Sequence, residues 1–83
     1  DYLELASLEK TGSLSLRSFH KVKKVSVPNF RETGYVSLLG SAFEDYSDFA
    51  TVAETLSDRN WIVFNCTYNP TWQDMHDKKY TRE

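Results

Sequence analysis

Two histidines, His20 and His76, and a single cysteine, Cys66, have the widest chemical repertoire in this chain. A Cys–His pair makes a nucleophile with its base, but nothing in the spacing favours that pairing here. A lone Cys in an apolar segment is usually core. Asp74-Met75-His76-Asp77 gathers three ligand-type side chains. On a helix Asp74 and Asp77 share a face while His76 points elsewhere, and a structural zinc site wants four closed ligands, mostly Cys and His. The tetrapeptide reads instead as a polar helix end, with His76 near the C-terminal dipole. Glu44-Asp45 with Asp48 lacks the alternating acids and central Gly of a calcium loop. There is no phosphate loop, nucleophile elbow, cysteine pair or His-Glu-x-x-His pattern. The expectation is a protein that is not an enzyme, with no catalytic residue, no metal and no cofactor.

The stronger signal is charge segregation. Lys10, Arg17, Lys21, Lys23, Lys24 and Arg31 follow one another with no acid between them. Glu32, Glu44, Asp45, Asp48, Glu54 and Asp58 then follow with no base between them. A net charge of −2 therefore hides two opposed blocks. Three arrangements account for this. The blocks lie side by side and pair internally, at ~0–1 kcal/mol per exposed pair. Alternatively, Glu44, Asp45 and Asp48 form an acidic face for a protein partner with a basic surface, able to mimic phosphates and block a nucleic-acid enzyme. In the third, the 17–24 ribbon grips nucleic acid: Arg17, Lys21, Lys23 and Lys24 neutralise phosphates beside His20 and the ring of Phe19.

Aromatic residues make up 14% of the chain, generous for 83 residues. A thin core absorbs Phe43, Phe49, Trp61 and Phe64. Trp72 and Tyr80 are then candidate anchors at a binding surface, or rings that close the ends of a small core.

The elements that must position these residues follow from spacing. Residues 1–11 read as a short helix ending before Gly12, although Leu3 and Leu5 serve an edge strand equally well. Leu14 and Leu16 alternate in a strand over 13–19, and Val25 and Val27 alternate on the opposite parity over 24–28. A turn or bulge within residues 20–24 is needed to keep both apolar pairs on one side, giving a hairpin. Residues 34–40 form a third strand. Ser41-Ala42-Phe43-Glu44 matches a capping box, and Phe43, Tyr46, Phe49, Ala53 and Leu56 continue an amphipathic helix over 41–58. Residues 61–68 form a last strand, parallel to 34–40, and Thr71 caps a short C-terminal helix. No internal repeat or linker stands out.

The expected fold is thus one α+β domain spanning 1–83. A small mixed sheet of about four strands packs on one main amphipathic helix, flanked by short N- and C-terminal helices. No apolar run reaches the ~18 residues of a membrane helix. The unpaired cysteine points to a reducing, cytoplasmic setting, and Asn65-Cys66-Thr67 fits a glycosylation acceptor only in a secreted chain. The functional expectation is a non-enzymatic protein-interaction or inhibitor module using Glu44, Asp45, Asp48, Trp72 and Tyr80. The alternative is a nucleic-acid module using the 17–24 ribbon.

Overall fold

The computed structural model describes residues 2–82, with nothing stated of the Tyr2 side chain. The chain runs through β1 (Tyr2–Glu4), β2 (Lys10–Thr11), β3 (Leu14–Arg17), β4 (Lys24–Ser26), β5 (Glu32–Thr33) and β6 (Val36–Leu39). A 3₁₀ turn (Ser47–Phe49), α1 (Ala50–Thr55), β7 (Trp61–Phe64) and α2 (Trp72–His76) follow. Its α+β character stands, but the mixed four-stranded sheet does not. Three small parallel sheets replace it: β1-β4, β2-β5 and β3-β6-β7.

The registers reveal the plan. Tyr2 pairs with Lys24, Lys10 with Glu32 and Leu14 with Val36, a constant offset of 22 residues. Each turn of chain visits the three sheets in the same order, and the second turn stacks on the first. We call residues 2–17 and 24–39 rungs 1 and 2. Aligned by structure, they are an internal repeat that the bare sequence conceals. Leu3/Val25, Leu5/Val27, Leu8/Phe30, Leu14/Val36 and Leu16/Leu38 occupy matching inward columns, and Thr11/Thr33, Gly12/Gly34 and Ser15/Ser37 are identical.

Each corner has a chemical cause. The Thr11 hydroxyl donates to the Ser13 carbonyl, and the equivalent Thr33 hydroxyl donates to the Tyr35 carbonyl, both at 3.2 Å. The chain leaves β3, β6 and β7 through Ser18, Gly40 and Asn65, all left-handed at φ 65°, 55° and 57°. Such a bend suits Gly and is tolerated by Asn.

Four expectations are corrected. The N-terminal segment is not a helix, because Leu3 and Leu5 face the coil interior from an extended rung. The segments 13–19 and 24–28 do not pair as a hairpin; each pairs in parallel with a strand one turn away, which resolves their opposite parity by placing them in different sheets. The long helix over 41–58 shrinks to α1 plus the 3₁₀ turn. Residues 41–46 instead begin a third turn: Ala42 N–H bonds Phe19 O, Glu44 N–H bonds Lys23 O and Asp45 bridges Lys24 in parallel. Ser41 caps no helix; its hydroxyl accepts the Phe19 amide and donates to Leu39 O.

Two expectations hold. β6 and β7 are adjacent and parallel. The Thr71 cap on α2 forms with Asp74, the side chain of each taking the other's amide at 3.0 Å.

In the third turn α1 packs beside β5, where the second sheet would otherwise gain a strand. α2 packs on α1, and Tyr46 N–H bonds Tyr80 O, so the C-terminal segment closes this end. The core beneath is aromatic. Tyr46 sits at its centre with the rings of Phe43, Phe49, Trp61 and Tyr68 at 6.0–6.5 Å. Pairs of this geometry contribute ~0.5–1.5 kcal/mol each beyond area burial.

Candidate interaction surface

The outer face of the β3-β6-β7 sheet is built by strand alternation. Val36, Leu38 and Trp61 point into the core, so Ser15 and Arg17, Ser37 and Leu39, Ile62 and Phe64 point out. Register aligns Arg17, Leu39 and Phe64 in one row across the three strands. Phe64 is 63% exposed and Tyr35, just before β6, is 39% exposed. Leu39 and Ile62 are half-buried on this same face. The result is an aromatic and aliphatic patch on the outside of a sheet. It corrects the expectation that Phe64 lies in the core, since its even register position turns it away from Trp61 and Val63.

Two grooves flank the patch. One, of about 410 Å³, follows the left-handed corner and is lined by Arg17, Ser18, Leu39, Gly40, Phe64 and Asn65. The other, of about 500 Å³, runs between β7 and the 69–73 segment, with Trp72 in its wall. β7 is the last strand of its sheet. Val36 N–H bonds Asn60 O and Gly40 N–H bonds Phe64 O, so the even residues face β6. The backbone groups of Trp61 and Val63 therefore face the open edge.

The acidic residues singled out by sequence lie elsewhere, and they are engaged. Asp48 Oδ2 accepts the Val27 amide at 3.0 Å, and its other oxygen lies 3.9 Å from Lys24 Nζ. Asp45 Oδ1 accepts both the amide and the hydroxyl of Ser47. Glu44 lies 3.9 Å from Arg82. The helix that would have aligned them on one face begins only at Ala50. Trp72 is half-buried, donates its indole N–H to Leu56 O at 2.7 Å and has its ring 4.0 Å from that of His76. Tyr80 is half-buried against the core.

Of the basic ribbon, Arg17, His20, Lys21 and Lys23 are exposed and Lys24 is half-buried. Phe19 stacks on Phe43 at 6.1 Å and packs against the core, so its ring is committed inward. Cys66 Sγ lies 3.5 Å from Leu38 O, on the core side of β7. In the 74–77 cluster Asp74 caps α2 and Asp77 accepts from Gln73. Among the described residues no group of three metal-ligand side chains comes together. Nor, among them, is any helix long and apolar enough to cross a membrane.

Burial holds the Tyr46 phenol well above its usual range, with the nearby Cys66 thiol and Tyr68 adding to the effect. Its hydroxyl donates to Tyr68 O at 2.7 Å. Desolvation, and then the Asp74 charge, also raise Tyr68. Both groups serve packing.

Comparison with family models, with curated proteins and with solved structures finds no match to this chain. Sequence reasoning missed the patch because strands of two to four residues are too short to declare which side is inward. The signal that finds it is the repeat: once Leu38 is paired in register with Leu16, Leu39 and Phe64 must face out.

Proposed function

We propose that this chain is a non-enzymatic protein-interaction module that binds through the outer face of its three-stranded sheet. The observation that carries the reading is the ring of Phe64, the most exposed large apolar side chain among the described residues. Beside it stand Leu39 and Ile62, Tyr35 lies further along the same face, and next to it runs an unpaired strand edge. Clustered exposed apolar groups mark interaction sites more often than scattered ones do, and buried aromatic anchors dominate binding energy. A partner that also pairs with β7 gains backbone hydrogen bonds at Trp61 and Val63.

A basic surface on the partner is a secondary criterion in this reading, because Asp45 and Asp48 spend carboxylate oxygens on hydrogen bonds within the fold. The test is to recover partners by photo-crosslinking from position 64 and then measure affinity for the Phe64→Ser chain. Loss of binding by about tenfold or more, with unchanged thermal stability, supports the surface. Full affinity in Phe64→Ser refutes it.

One observation favours a second reading. Arg17 and exposed Phe64 line the same groove, with no acid among the lining residues. A guanidinium beside an open ring suits a nucleotide, whose base stacks while its phosphate pairs. Binding of single-stranded RNA across a salt series separates the two readings. A log–log slope of roughly −2 supports phosphate contacts by Arg17, Lys21 and Lys23, and no binding at low salt removes them.

A further inference from the structure

The two ends of the coil differ. At the far end α1, α2 and the 80–82 segment cover the third turn. At the near end no described residue lies beneath rung 1. Its inward leucines, Leu3, Leu5, Leu8, Leu14 and Leu16, are all half-buried, whereas their rung 2 counterparts Val25, Val27, Phe30, Val36 and Leu38 are at most 2% exposed. Three strand edges are open there as well. Leu14 N–H bonds Tyr35 O and Ser18 N–H bonds Leu39 O, so even residues of β3 face rung 2. The amides and carbonyls of Ser15 and Arg17 therefore face away from it.

Gly12 adds an independent observation. A Cβ at Gly34 would lie 3.0 Å from the Gly12 carbonyl of the rung beneath, so stacking accounts for that glycine. At Gly12 a Cβ meets nothing within 4 Å, and Gly12 is not among the positive-φ residues. Nothing within the chain requires glycine there. A rung stacked beneath would require it for the same reason that rung 1 requires Gly34.

We propose that the open end of rung 1 is a docking surface for a further parallel β-rung with the pattern of residues 2–23. Such a rung presents aliphatic side chains in the inward columns and a Thr-Gly corner. Rung 2 on rung 1 is the template for the contact, down to its charges: Arg31 over Glu9 at 3.2 Å, and Glu32 in register with Lys10. An incoming rung is matched best when it sets a base beside Glu9's column or an acid beside Lys10's. A second whole copy is the wrong occupant. Its far end offers α1 where β2 needs a strand, and Thr81 lies antiparallel beside Asp45 where β1 needs a parallel one.

The experiment fuses a second copy of residues 2–23 ahead of Tyr2 in the full chain, the copy carrying Glu9→Arg and Lys10→Glu so that its charges match those of rung 1. A matched control carries Ser at the added copy's four positions equivalent to Leu3, Leu5, Leu14 and Leu16. Docking raises Tm by at least ~5 °C over the control and slows exchange of the Ser15 and Arg17 amides by at least about tenfold. Gly12→Ala then reads the contact directly: silent in the parent chain, it lowers Tm in the fused one. The proposal is overturned if the Ser15 and Arg17 amides exchange as fast in the fusion as in the parent. It is equally overturned if Gly12→Ala is silent in both, or if the parent self-associates through this end while the fusion gains nothing. A synthetic peptide of residues 2–23 with the same Glu9→Arg and Lys10→Glu changes, titrated onto the parent, gives the same amide readout without the fusion.

Discussion

Asp48 offers the sharpest separation between a surface that awaits a partner and a side chain that holds the coil. Its Oδ2 accepts the amide of Val27, a residue with 0% exposure just after β4. Asp48→Ala leaves that amide in a dry environment without an acceptor. Hydrogen bonds to charged groups contribute about 1.5–3 kcal/mol, and losing the partner of a buried donor carries a similar penalty. The Lys24 ammonium, 3.9 Å away and partly solvated, adds only ~0–1 kcal/mol. The expected loss is about 2–3 kcal/mol, or roughly 8–20 °C in Tm for a domain of this size. Asp48→Asn keeps an acceptor oxygen and should lose only about 1 kcal/mol. Urea denaturation of the three proteins, at low and high salt, measures all of this. Because a hydrogen bond dominates, salt should change the Asp48→Ala deficit little. An Asp48→Ala chain within about 0.5 kcal/mol of the parent would refute the reasoning, as would an Asn variant less stable than the Ala one.

Further outcomes follow from the corners and the core. Gly34→Ala should lower stability by about 1–2 kcal/mol, because its Cβ crowds the Gly12 carbonyl, while Gly12→Ala is neutral or slightly stabilising; urea midpoints report both. At the left-handed corner Gly40→Ala costs about 1 kcal/mol even though its Cβ has open space, and Ser18→Gly gains a few tenths in the same assay. Tyr46 and Tyr68 ionise less readily in the fold than in the unfolded chain, where the ordinary value is 10.0. The stability this supplies is complete below that value and falls as pH rises past it, so unfolding midpoints should hold from about pH 8 to about pH 9.5 and drop by about pH 11. Tyr46→Phe should flatten that decline while lowering stability at neutral pH, through loss of its bond to Tyr68 O.

The parts of this fold legible in the sequence are those a local rule governs. Trp61–Phe64 declares a strand by composition, Thr71 and Asp74 declare a cap by spacing, and the glycines before and after β6 bracket it. What stayed hidden depends on stacking at a distance of 22 residues. Leu14 and Val25 disagree in parity along the chain, which suggested a hairpin; in a coil the disagreement is absorbed by the corner at residues 18–23. Phe43, Tyr46 and Phe49 recur at three-residue intervals and imitate a helix face. No helix runs through Phe43 and Tyr46, because the carbonyls of Phe19, Lys23 and Tyr80 accept the amides of Ala42, Glu44 and Tyr46, and Phe49 ends a 3₁₀ turn. Periodicity shows which residues are buried but not what buries them. The engaged acids were unreadable for a related reason, since Val27 is a partner only once β4 lies beside the third turn.

The segregated charges acquire a simple origin in this architecture. The basic block spans the first two turns, and the acidic block, apart from Glu32 in β5, covers the turn that closes the coil. Stacked turns set opposite charges together where chain 22 or so residues apart is in register: Arg31 on Glu9, Glu32 opposite Lys10 and Asp48 beside Lys24. All three join a base and an acid from adjoining turns, and the last two join the basic block to the acidic one. Alternation alone resists a slip by one residue but not by two, because two restores the inward faces. Charged columns and the Gly12–Gly34 contact oppose the slip by two. On that view the charge pattern specifies the register of a repeat whose aliphatic columns are nearly interchangeable, and the exposed row at Arg17, Leu39 and Phe64 is left free for a partner.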